Sequence, residues 1–320
     1  MRYYLAPMEG VTDSIYRSIH SRIFMPFDRY YTPFLSPTQD RRITARQLRE
    51  LDPERNAGLD VVPQVLVNDP ALFVWAAEVF RDMGYREVNL NLGCPSGTVV
   101  KKKKGSGLLG QRALLERLLD GIFERSPLPV SVKTRLGLQN EAEFVPLLEL
   151  FNRYPICELI VHPRVQRDQY RGEVRMEAFR SALARSRAPV CYNGNLFTPS
   201  DLTALEAACP GLEAAMPGRG AVANPGLIGY LKTGRWATAA QMRQLHDALY
   251  DEYGRAMPGF KPTVFRMREF WAFWACMFDA PEKYLKRIRK ALSFADYEAA
   301  VQALFDRCAF LPDGAFSPAQ

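Results

Sequence analysis

The sequence predicts an α/β protein, a (β/α)8 TIM barrel followed by a small C-terminal all-α helical domain. Over the first three quarters of the 320 residues, short apolar runs alternate with longer helical patterns, the order of elements in such a barrel. Eight runs can be distinguished, and most are continuously apolar, as parallel strands buried on both faces are. Beyond about residue 237 no strand pattern occurs. We therefore expect a barrel over residues 1–236 and a helical domain over residues 237–320.

An open, doubly wound sheet is the alternative architecture for alternating strands and helices. That fold carries a GxGxxG turn after its first strand, and no such turn follows Tyr3–Ala6. The third run contains Pro63, which is unexpected in the centre of a sheet because proline has no N–H to donate. The predicted strands are Tyr3–Ala6, Arg29–Phe34, Val61–Val67, Val88–Leu92, Pro129–Thr134, Leu159–His162, Pro189–Tyr192 and Glu213–Met216.

Helix-start signals separate these strands. Thr12-Asp13 can cap a helix that runs through His20, and Asn68-Asp69-Pro70 combines cap residues with a proline in the first turn. Thr198 or Ser200 can cap a helix after the seventh strand. The other helices predicted in the barrel are Leu108–Phe123, Asn140–Asn152, Met176–Ala184 and Asn224–Tyr230.

The C-terminal region contains four helical patterns and is interrupted once by Gly254–Pro262. It is rich in basic and aromatic residues. We expect Trp271 and Trp274, at helical spacing, to lie in the core, and the last residues, Leu311–Gln320, to form a frayed tail. The predicted helices are Gln241–Tyr253, Thr263–Phe278, Glu282–Ala291 and Ala295–Phe305.

Composition narrows the class of protein. The net charge of +7 and the pI of about 9.1 permit nucleic-acid binding without proving it. Six cysteines without a CxxC pair, and only three histidines, do not form a zinc pattern, so we expect no metal. Free thiols favour a cytoplasmic location, and no apolar run approaches the roughly 20 residues of a membrane span. We also expect a monomer.

Polar residues cluster where the predicted strands end, which is where barrel enzymes carry their active sites. Glycine-rich turns after the seventh and eighth strands predict a phosphate site, because backbone N–H groups there can meet an anion. Lys133 at the end of an apolar strand needs an anionic partner. The strand-end residues are Pro7, Met8, Glu9, Gln64, Asn91, Cys94, Lys133, Arg135, His162, Arg164, Asn193, Gly194, Asn195, Gly218, Arg219 and Gly220.

Cys94 lies at the tip of the fourth strand, which stops at Gly93 because Pro95 cannot continue the ladder. A buried free cysteine is the alternative interpretation. Asn89 and Asn91 lie on one face of this strand, which favours a functional role for the strand end. The basic, glycine-rich segment from Lys101–Lys104 onwards could be a mobile lid over an anionic ligand, or a solvated loop. His162 taken alone is more typical of a core histidine than of a functional one.

Several motifs together resemble the tRNA-dihydrouridine synthases, and within them the bacterial branch similar to class C. The resemblance spans the whole chain, and the Asn-x-Gly-Cys-Pro-Ser element is its most specific part. It implies an FMN-containing barrel that reduces a tRNA uridine to 5,6-dihydrouridine with NADPH. The motifs are Ala6-Pro7-Met8-Glu9-Gly10-Val11-Thr12-Asp13, Asn89-Leu90-Asn91-Leu92-Gly93-Cys94-Pro95-Ser96, Val132-Lys133-Thr134-Arg135-Leu136-Gly137, Val161-His162-Pro163-Arg164, Asn193-Gly194-Asn195 and Gly218-Arg219-Gly220.

The resemblance also implies roles for individual residues. Cys94 matches the family's proton donor, and Asn91 matches the strand position that faces flavin and uracil. The residues expected to bind FMN are Pro7, Met8, Glu9, Gln64, Lys133, His162, Asn193, Gly194, Asn195, Gly218 and Arg219. The residues expected to contact tRNA are Lys101, Lys104, Arg164, Arg266, Lys286 and Lys290, in addition to Asn91. Pro217 departs from the family pattern and could reshape the eighth turn.

Two other functions remain open at this stage. One is an FMN barrel that acts on a free pyrimidine, as dihydroorotate or dihydropyrimidine dehydrogenases do, but such an enzyme has no evident need for a basic helical domain. The other is an RNA-binding protein with an inactive barrel. The presence of Cys94, Lys133 and the two phosphate turns argues against an inactive barrel.

Overall fold

The computed structural model describes residues 1–317, so Pro318–Gln320 of the predicted tail lie outside the described residues. One parallel sheet contains all the strands in the order β3-β2-β1-β9-β8-β7-β6-β5-β4. The strands are β1 Arg2–Leu5, β2 Arg29–Tyr31, β3 Val61–Val62, β4 Gln64–Val65, β5 Val88–Leu92, β6 Val130–Arg135, β7 Leu159–His162, β8 Val190–Tyr192 and β9 Ala214–Ala215.

The two ends of this order, β3 and β4, are halves of the predicted third strand, so the sheet closes on itself. The first half pairs with β2 and the second with β5. Pro63 stands at the switch because it cannot donate to either ladder, and the N–H of Gln64 instead donates to Thr32 Oγ1 at 3.1 Å. The barrel is therefore the predicted eight-stranded one, with its third strand split by a proline.

Most predicted helices are present, and local caps explain where they start. Asp13 accepts from the N–H of Tyr16, and Asp69 from that of Ala71 with Pro70 at the first position. The helices are α1 Ser14–Ile23, α2 Ala45–Leu51, α3 Pro70–Asp82, α4 Gly97–Lys101, α5 Arg112–Arg125, α6 Phe144–Phe151, α7 Met176–Arg185, α8 Pro199–Ala208, α9 Arg219–Ala223, α10 Leu227–Thr233, α11 Ala239–Ala256, α12 Phe260–Trp274, α13 Glu282–Lys290 and α14 Phe294–Arg307.

Three short helices, α2, α4 and α9, were not expected. Helix α2 could have been predicted from the sequence, because Thr44 and Gln47 have the spacing of a capping box and form one in the structure. The helix predicted from Leu108 begins at Arg112, because Gly105–Leu108 form a 3-10 turn. The segment around Lys101–Lys104, for which a mobile lid and a solvated loop were both considered, is the end of helix α4 followed by a buried 3-10 turn.

The helical region packs directly on the barrel. Helix α11 lies against α1, and α12 lies against α9. Trp274 donates to the carbonyl of Val222 in α9 at 3.1 Å, and Tyr253 donates to Asp13 Oδ1 at 2.8 Å. Both Trp271 and Trp274 are buried, as expected.

Residues 1–317 contain neither a helix that could span a membrane nor a candidate metal site. Each helix there is too short or too polar to cross a membrane. These residues also contain no group of three or more histidine, cysteine, aspartate or glutamate side chains that could hold a metal ion.

The end of the chain is docked rather than frayed, so this prediction is wrong up to Phe316. Phe310 pairs with Phe278, and the N–H of Leu311 donates to the carbonyl of Met277 at 2.8 Å. Asn224, directly after α9, donates to the carbonyls of Pro312 and Gly314 at 3.0 and 3.1 Å. These hydrogen bonds satisfy backbone N–H and carbonyl groups of the tail that would otherwise bind water. They hold the tail against the barrel.

Candidate active site

A cavity of about 360 Å³ opens at the C-terminal ends of the strands, and its lining comes from strands β4 to β7 and from the segments that follow β1, β2, β8 and β9. All residues predicted to bind FMN line it, together with Asn91, Cys94 and Arg164. The strand-end residue Arg135 also lines it. The lining residues that were not selected from the sequence are Ala6, Val11, Pro33, Phe34, Gly93, Pro95, Tyr170 and Phe197. The sequence-predicted cofactor residues are thus brought together at one place.

Cys94 lies at the tip of β5 and is held by its backbone. Its N–H donates to Asn91 Oδ1 at 2.9 Å, and its carbonyl accepts from the N–H and Oγ of Ser106 at 3.1 and 2.8 Å. Burial raises the pKa of the Cys94 thiol above its ordinary value. The side chain therefore enters the cavity as a protonated thiol at neutral pH, which can donate a proton but is a weak nucleophile.

A chain of amides crosses the floor of the cavity beside Cys94. Asn91 Nδ2 donates to Gln64 Oε1 at 2.7 Å, and Gln64 Nε2 donates to Asn89 Oδ1 at 2.8 Å. Asn89 in turn donates to Ser131 Oγ at 2.9 Å. Each bond fixes the orientation of the next amide, so Gln64 and Asn91 present their remaining N–H groups in defined directions.

Lys133 projects from β6 into the cavity, and its partner is an uncharged amide. Its ammonium donates to Asn193 Oδ1 at 2.7 Å, and Asn193 donates to the carbonyl of Met216 at 2.6 Å. Burial lowers the pKa of Lys133 to about 8, and the positive charge of the nearby Arg135 is the second cause of this shift. The anionic partner expected from the sequence is therefore not a carboxylate of residues 1–317, and a bound anion would fill that role.

Two guanidinium groups converge on Asn195 at the other end of the cavity. Arg164 and Arg219 both donate to Asn195 Oδ1, at 3.2 and 3.4 Å. Burial lowers the pKa of both arginines, and Arg219 lowers that of Arg164 further. Two like charges that share one neutral oxygen form a site for an anion with several acceptor oxygens.

The imidazole of His162 lies between these groups and is neutral. Burial and then the charge of Arg135 hold its pKa well below the usual range. Its Nε2 is 3.1 Å from Nη1 of Arg164. Because a guanidinium can only donate, Nε2 must accept, which places the ring proton on Nδ1. His162 can thus offer an Nδ1–H donor to a ligand.

The turn after β9 depends on a glycine. A Cβ on Gly220 would lie 2.0 Å from the carbonyl oxygen of Leu196, so the two phosphate turns can approach only without a side chain there. Pro217, which departs from the family pattern, lies in this turn. Its carbonyl oxygen accepts a hydrogen bond from the N–H of Ala6 at 3.0 Å. The turn is therefore joined to β1 and is compatible with the predicted cradle.

Tyr170 is a site residue that the sequence reasoning did not select, whereas Arg135 was selected as a strand-end residue but was given no role. Arg135 had a signal, since it lies two residues after Lys133 and so on the same strand face. Its side chain donates to the carbonyl of Gly93 at 2.9 Å. Tyr170 comes from the long loop after β7 and packs its ring 5.3 Å from the guanidinium carbons of both Arg135 and Arg219. No periodicity or motif marks a residue on such a loop.

The residues predicted to contact tRNA occupy different environments. Lys101, Lys286 and Lys290 are exposed, and Lys104 is partly buried. Arg266 lies between the barrel and the helical region, where it pairs with Glu269 at 2.6 Å. Arg164 is 1% exposed and lines the cavity, so the contact with tRNA that is predicted for it would have to be made inside the cavity.

Acidic groups are scarce in this cavity. Glu9 is the acidic residue in its lining, and its carboxylate pairs with Arg46 at 2.8 Å at the exposed rim. The lining therefore carries four buried or half-buried cations, Lys133, Arg135, Arg164 and Arg219, against one neutralised carboxylate. Such a cavity favours an anionic, flat ligand that can use the amides at one end and the guanidinium groups at the other.

Comparisons with known proteins agree with this geometry. The family model described as dihydrouridine synthase (Dus) matches residues 4–304. The chain is 28% identical over 257 residues to tRNA-dihydrouridine synthase B of Pseudomonas aeruginosa, covering 78% of this chain and 76% of the relative. It is 27% identical over 317 residues to the tRNA-dihydrouridine(16) synthase of Shigella flexneri, covering 95% and 98%. The old yellow enzyme homologue from Zymomonas mobilis shares the fold, with a TM-score of 0.52 and 12% identity over 74% of this chain and 90% of that chain.

Proposed function

The chain belongs to the dihydrouridine synthase family, and we propose that it reduces a uridine of tRNA to 5,6-dihydrouridine, with FMN as cofactor and NADPH as electron donor. The observation that carries this proposal is the cavity itself. A protonated thiol, Cys94, faces the same space as an amide floor and a cluster of cations without carboxylate partners. Proton donor and anion site are thus combined at the functional end of a barrel.

The chemistry of the lining fits FMN. Arg164, Arg219 and Asn195 would hold the phosphate, and Lys133 would stabilise negative charge on the pyrimidine part of the flavin ring. Gln64 and His162 would donate hydrogen bonds to the ring or the ribityl chain. The chemistry that FMN would supply here, after reduction by NADPH, is a hydride for C6 of the uracil. A side chain of the cavity would then have to complete the addition by giving a proton to C5.

Cys94 is suited to that second half of the reaction. Its thiol donates a proton to C5 while the C5–C6 double bond becomes single, so one hydride and one proton are added in total. The resulting thiolate regains its proton from water. The raised pKa of Cys94 keeps the thiol protonated between turnovers. The hydrogen bond that its N–H donates to Asn91 and the one that its carbonyl accepts from Ser106 keep its backbone in place.

The substrate must reach the cavity from an RNA. A uridine inside a stacked helix cannot contact a flavin at the bottom of a cavity, so we expect it to leave the stack, as in other base-modifying enzymes. We propose that the barrel, residues 1–236, is catalytic and that the helical domain, residues 237–320, binds tRNA with Lys286, Lys290 and Arg266. Lys101 and Lys104 would hold the RNA backbone near Cys94. We further propose a cytoplasmic monomer.

The test is to map dihydrouridine in tRNA from cells that lack this protein. We expect loss of the modification at a single D-loop position and its return when the parental gene, but not a Cys94→Ala variant, is supplied. An unchanged dihydrouridine map would overturn the proposal. Assays of the purified protein with tRNA and with free uridine then separate this function from that of a free-pyrimidine reductase.

A further inference from the structure

The C-terminal tail, defined here as Leu311–Ser317, reaches the anion site of the barrel. It leaves the helical region at the carbonyl of Met277 and passes so close to Cys276 that a Cβ on Gly314 would lie 2.1 Å from its carbonyl oxygen. The side chain of Asn224 then holds two carbonyls of the tail. The path of the tail is therefore determined by backbone contacts up to Gly314.

This path places Phe316 against Arg219. The guanidinium carbon of Arg219 lies 5.6 Å from the centre of the Phe316 ring, 5.5 Å from that of Phe197 and 5.3 Å from that of Tyr170. Phe316 also packs against Phe197 and Phe273, with ring centres 5.7 and 5.5 Å apart. Tyr170 and Phe197 line the cavity, whereas Phe316 approaches Arg219 from outside it.

We infer that Phe316 is a positioning residue for the cofactor site, which holds the guanidinium of Arg219 ready for the phosphate of FMN. A free arginine side chain has many rotamers, and ordering it on binding weakens affinity. Three aromatic faces around the guanidinium restrict it beforehand through cation–π contacts. The inference rests on the proposed function, because it takes FMN as the ligand.

The same contacts join the two parts of the chain at the cofactor. Helix α9 begins with Arg219, receives the hydrogen bond of Trp274 at Val222 and is followed by Asn224, which holds the tail. The helical region and the tail therefore support both ends of the phosphate turn. A barrel without its C-terminal residues would be expected to bind flavin poorly even if it folded.

The experiment compares FMN with riboflavin, which has the same ring system but no phosphate. Apoprotein is titrated with each flavin by fluorescence, for the parent, Phe316→Ala, Phe316→Tyr and the matched control Phe265→Ala, an exposed phenylalanine of α12. We expect Phe316→Ala to weaken FMN binding by about threefold to thirtyfold, the range of one cation–π contact. Riboflavin affinity should not change, and Phe316→Tyr should retain FMN.

A double-mutant cycle identifies the route of the effect. In an Arg219→Ala background, Phe316→Ala should cause no further loss of FMN affinity if the phenylalanine acts through the arginine. Equal losses for FMN and riboflavin, or an effect no larger than that of Phe265→Ala, would overturn the inference while leaving the proposed function intact. A parent protein that binds neither flavin would overturn both.

Discussion

At the N-terminal end of the barrel, Arg29 is paired with carboxylates, whereas the cations that line the cavity at the C-terminal end, Lys133, Arg135, Arg164 and Arg219, are not. Arg29 at the start of β2 pairs with Asp60 at 2.9 Å and Glu87 at 2.8 Å. Glu158, which precedes β7, accepts from the hydroxyls of Tyr4 and Tyr31 at 3.0 and 3.1 Å. In the cavity, by contrast, the nearest partners of the cations are amides, carbonyls and aromatic rings.

The pKa values of the cations at the two ends shift in opposite directions. Burial alone would lower the pKa of Arg29, but the carboxylate of Glu87 raises it above its ordinary value. Burial lowers the pKa of Lys133 to about 8 and that of Arg135 to about 10, with no carboxylate strong enough to reverse it. The paired end therefore contributes to folding, and the unpaired end is unfavourable for the protein until an anion binds.

Cysteines at the two ends provide the largest expected contrast. Cys94→Ala should lower dihydrouridine formation by roughly 10²–10⁴-fold, the usual contribution of a positioned acid. NADPH oxidation by the flavin should hardly change, because the thiol acts on uracil. Cys157→Ala, beside Glu158 at the opposite end, serves as the control and should leave both rates unchanged. The test is to measure the rates of NADPH oxidation and of dihydrouridine formation for each variant. If Cys94→Ala forms dihydrouridine at the parental rate, the role of this cysteine is only structural.

Removing a cation from the unpaired end should affect the ligand more than the fold. Arg219→Ala should weaken FMN binding by roughly 1.5–3 kcal/mol, the scale of a hydrogen bond to a charged group. The apoprotein should be as stable as the parent or slightly more stable, since an unpaired charge is removed. Flavin titration and thermal unfolding of the apoprotein measure the two quantities. Unchanged FMN retention would move the phosphate to another part of the cavity.

Removing a charge from the paired end should have the reverse outcome. Glu158→Gln leaves the hydroxyls of Tyr4 and Tyr31 with a weaker acceptor and should lower the free energy of unfolding by about 1–3 kcal/mol. Its FMN affinity should equal that of the parent. Urea unfolding combined with flavin titration tests this, and a selective loss of FMN binding would show that the two ends are not independent.

The pH dependence of the unpaired end follows from Lys133. Its pKa in the fold, about 8, lies below that of a free lysine. Its charge therefore disfavours the apoprotein at low pH, and the stability of the apoprotein should rise as pH increases from about 8 towards about 10. FMN affinity should move the other way and fall above pH ~8, by at most tenfold per unit. Lys133→Met should flatten both profiles.

The exposed lysines of α13 should show the smallest and most salt-sensitive effect. Lys286 and Lys290 are open to solvent, unlike the cations of the cavity. Replacing both with alanine should weaken tRNA binding and lower the salt slope by roughly one unit per lost phosphate contact. FMN content should be unchanged. Affinities of parent and double variant that coincide at every salt concentration would place the tRNA on another surface.

Short stretches of sequence were enough to predict most strands and helices of the barrel and many residues of the site. The period of apolar residues predicted the strands, and Asp13 and Asp69 marked helix starts because a cap bonds to N–H groups only two or three residues away. Gly93 and Pro95 placed Cys94 at a strand tip for an equally local reason, the missing N–H of proline. Since parallel strands align their ends, residues at those ends converge in any such barrel.

Only the tertiary structure decided how distant segments meet. Pro63 marked an irregular strand, but the change of partner from β2 to β5 depends on the closure of the sheet. Arg164 could face RNA or the cavity until β7 and the following loop were placed, and Tyr170 has no local signal. Phe316 looks like part of a loose end in the sequence, because its contacts are with residues about 40 or more positions away. Contacts of that kind depend on the whole path of the chain, which no short window of sequence contains.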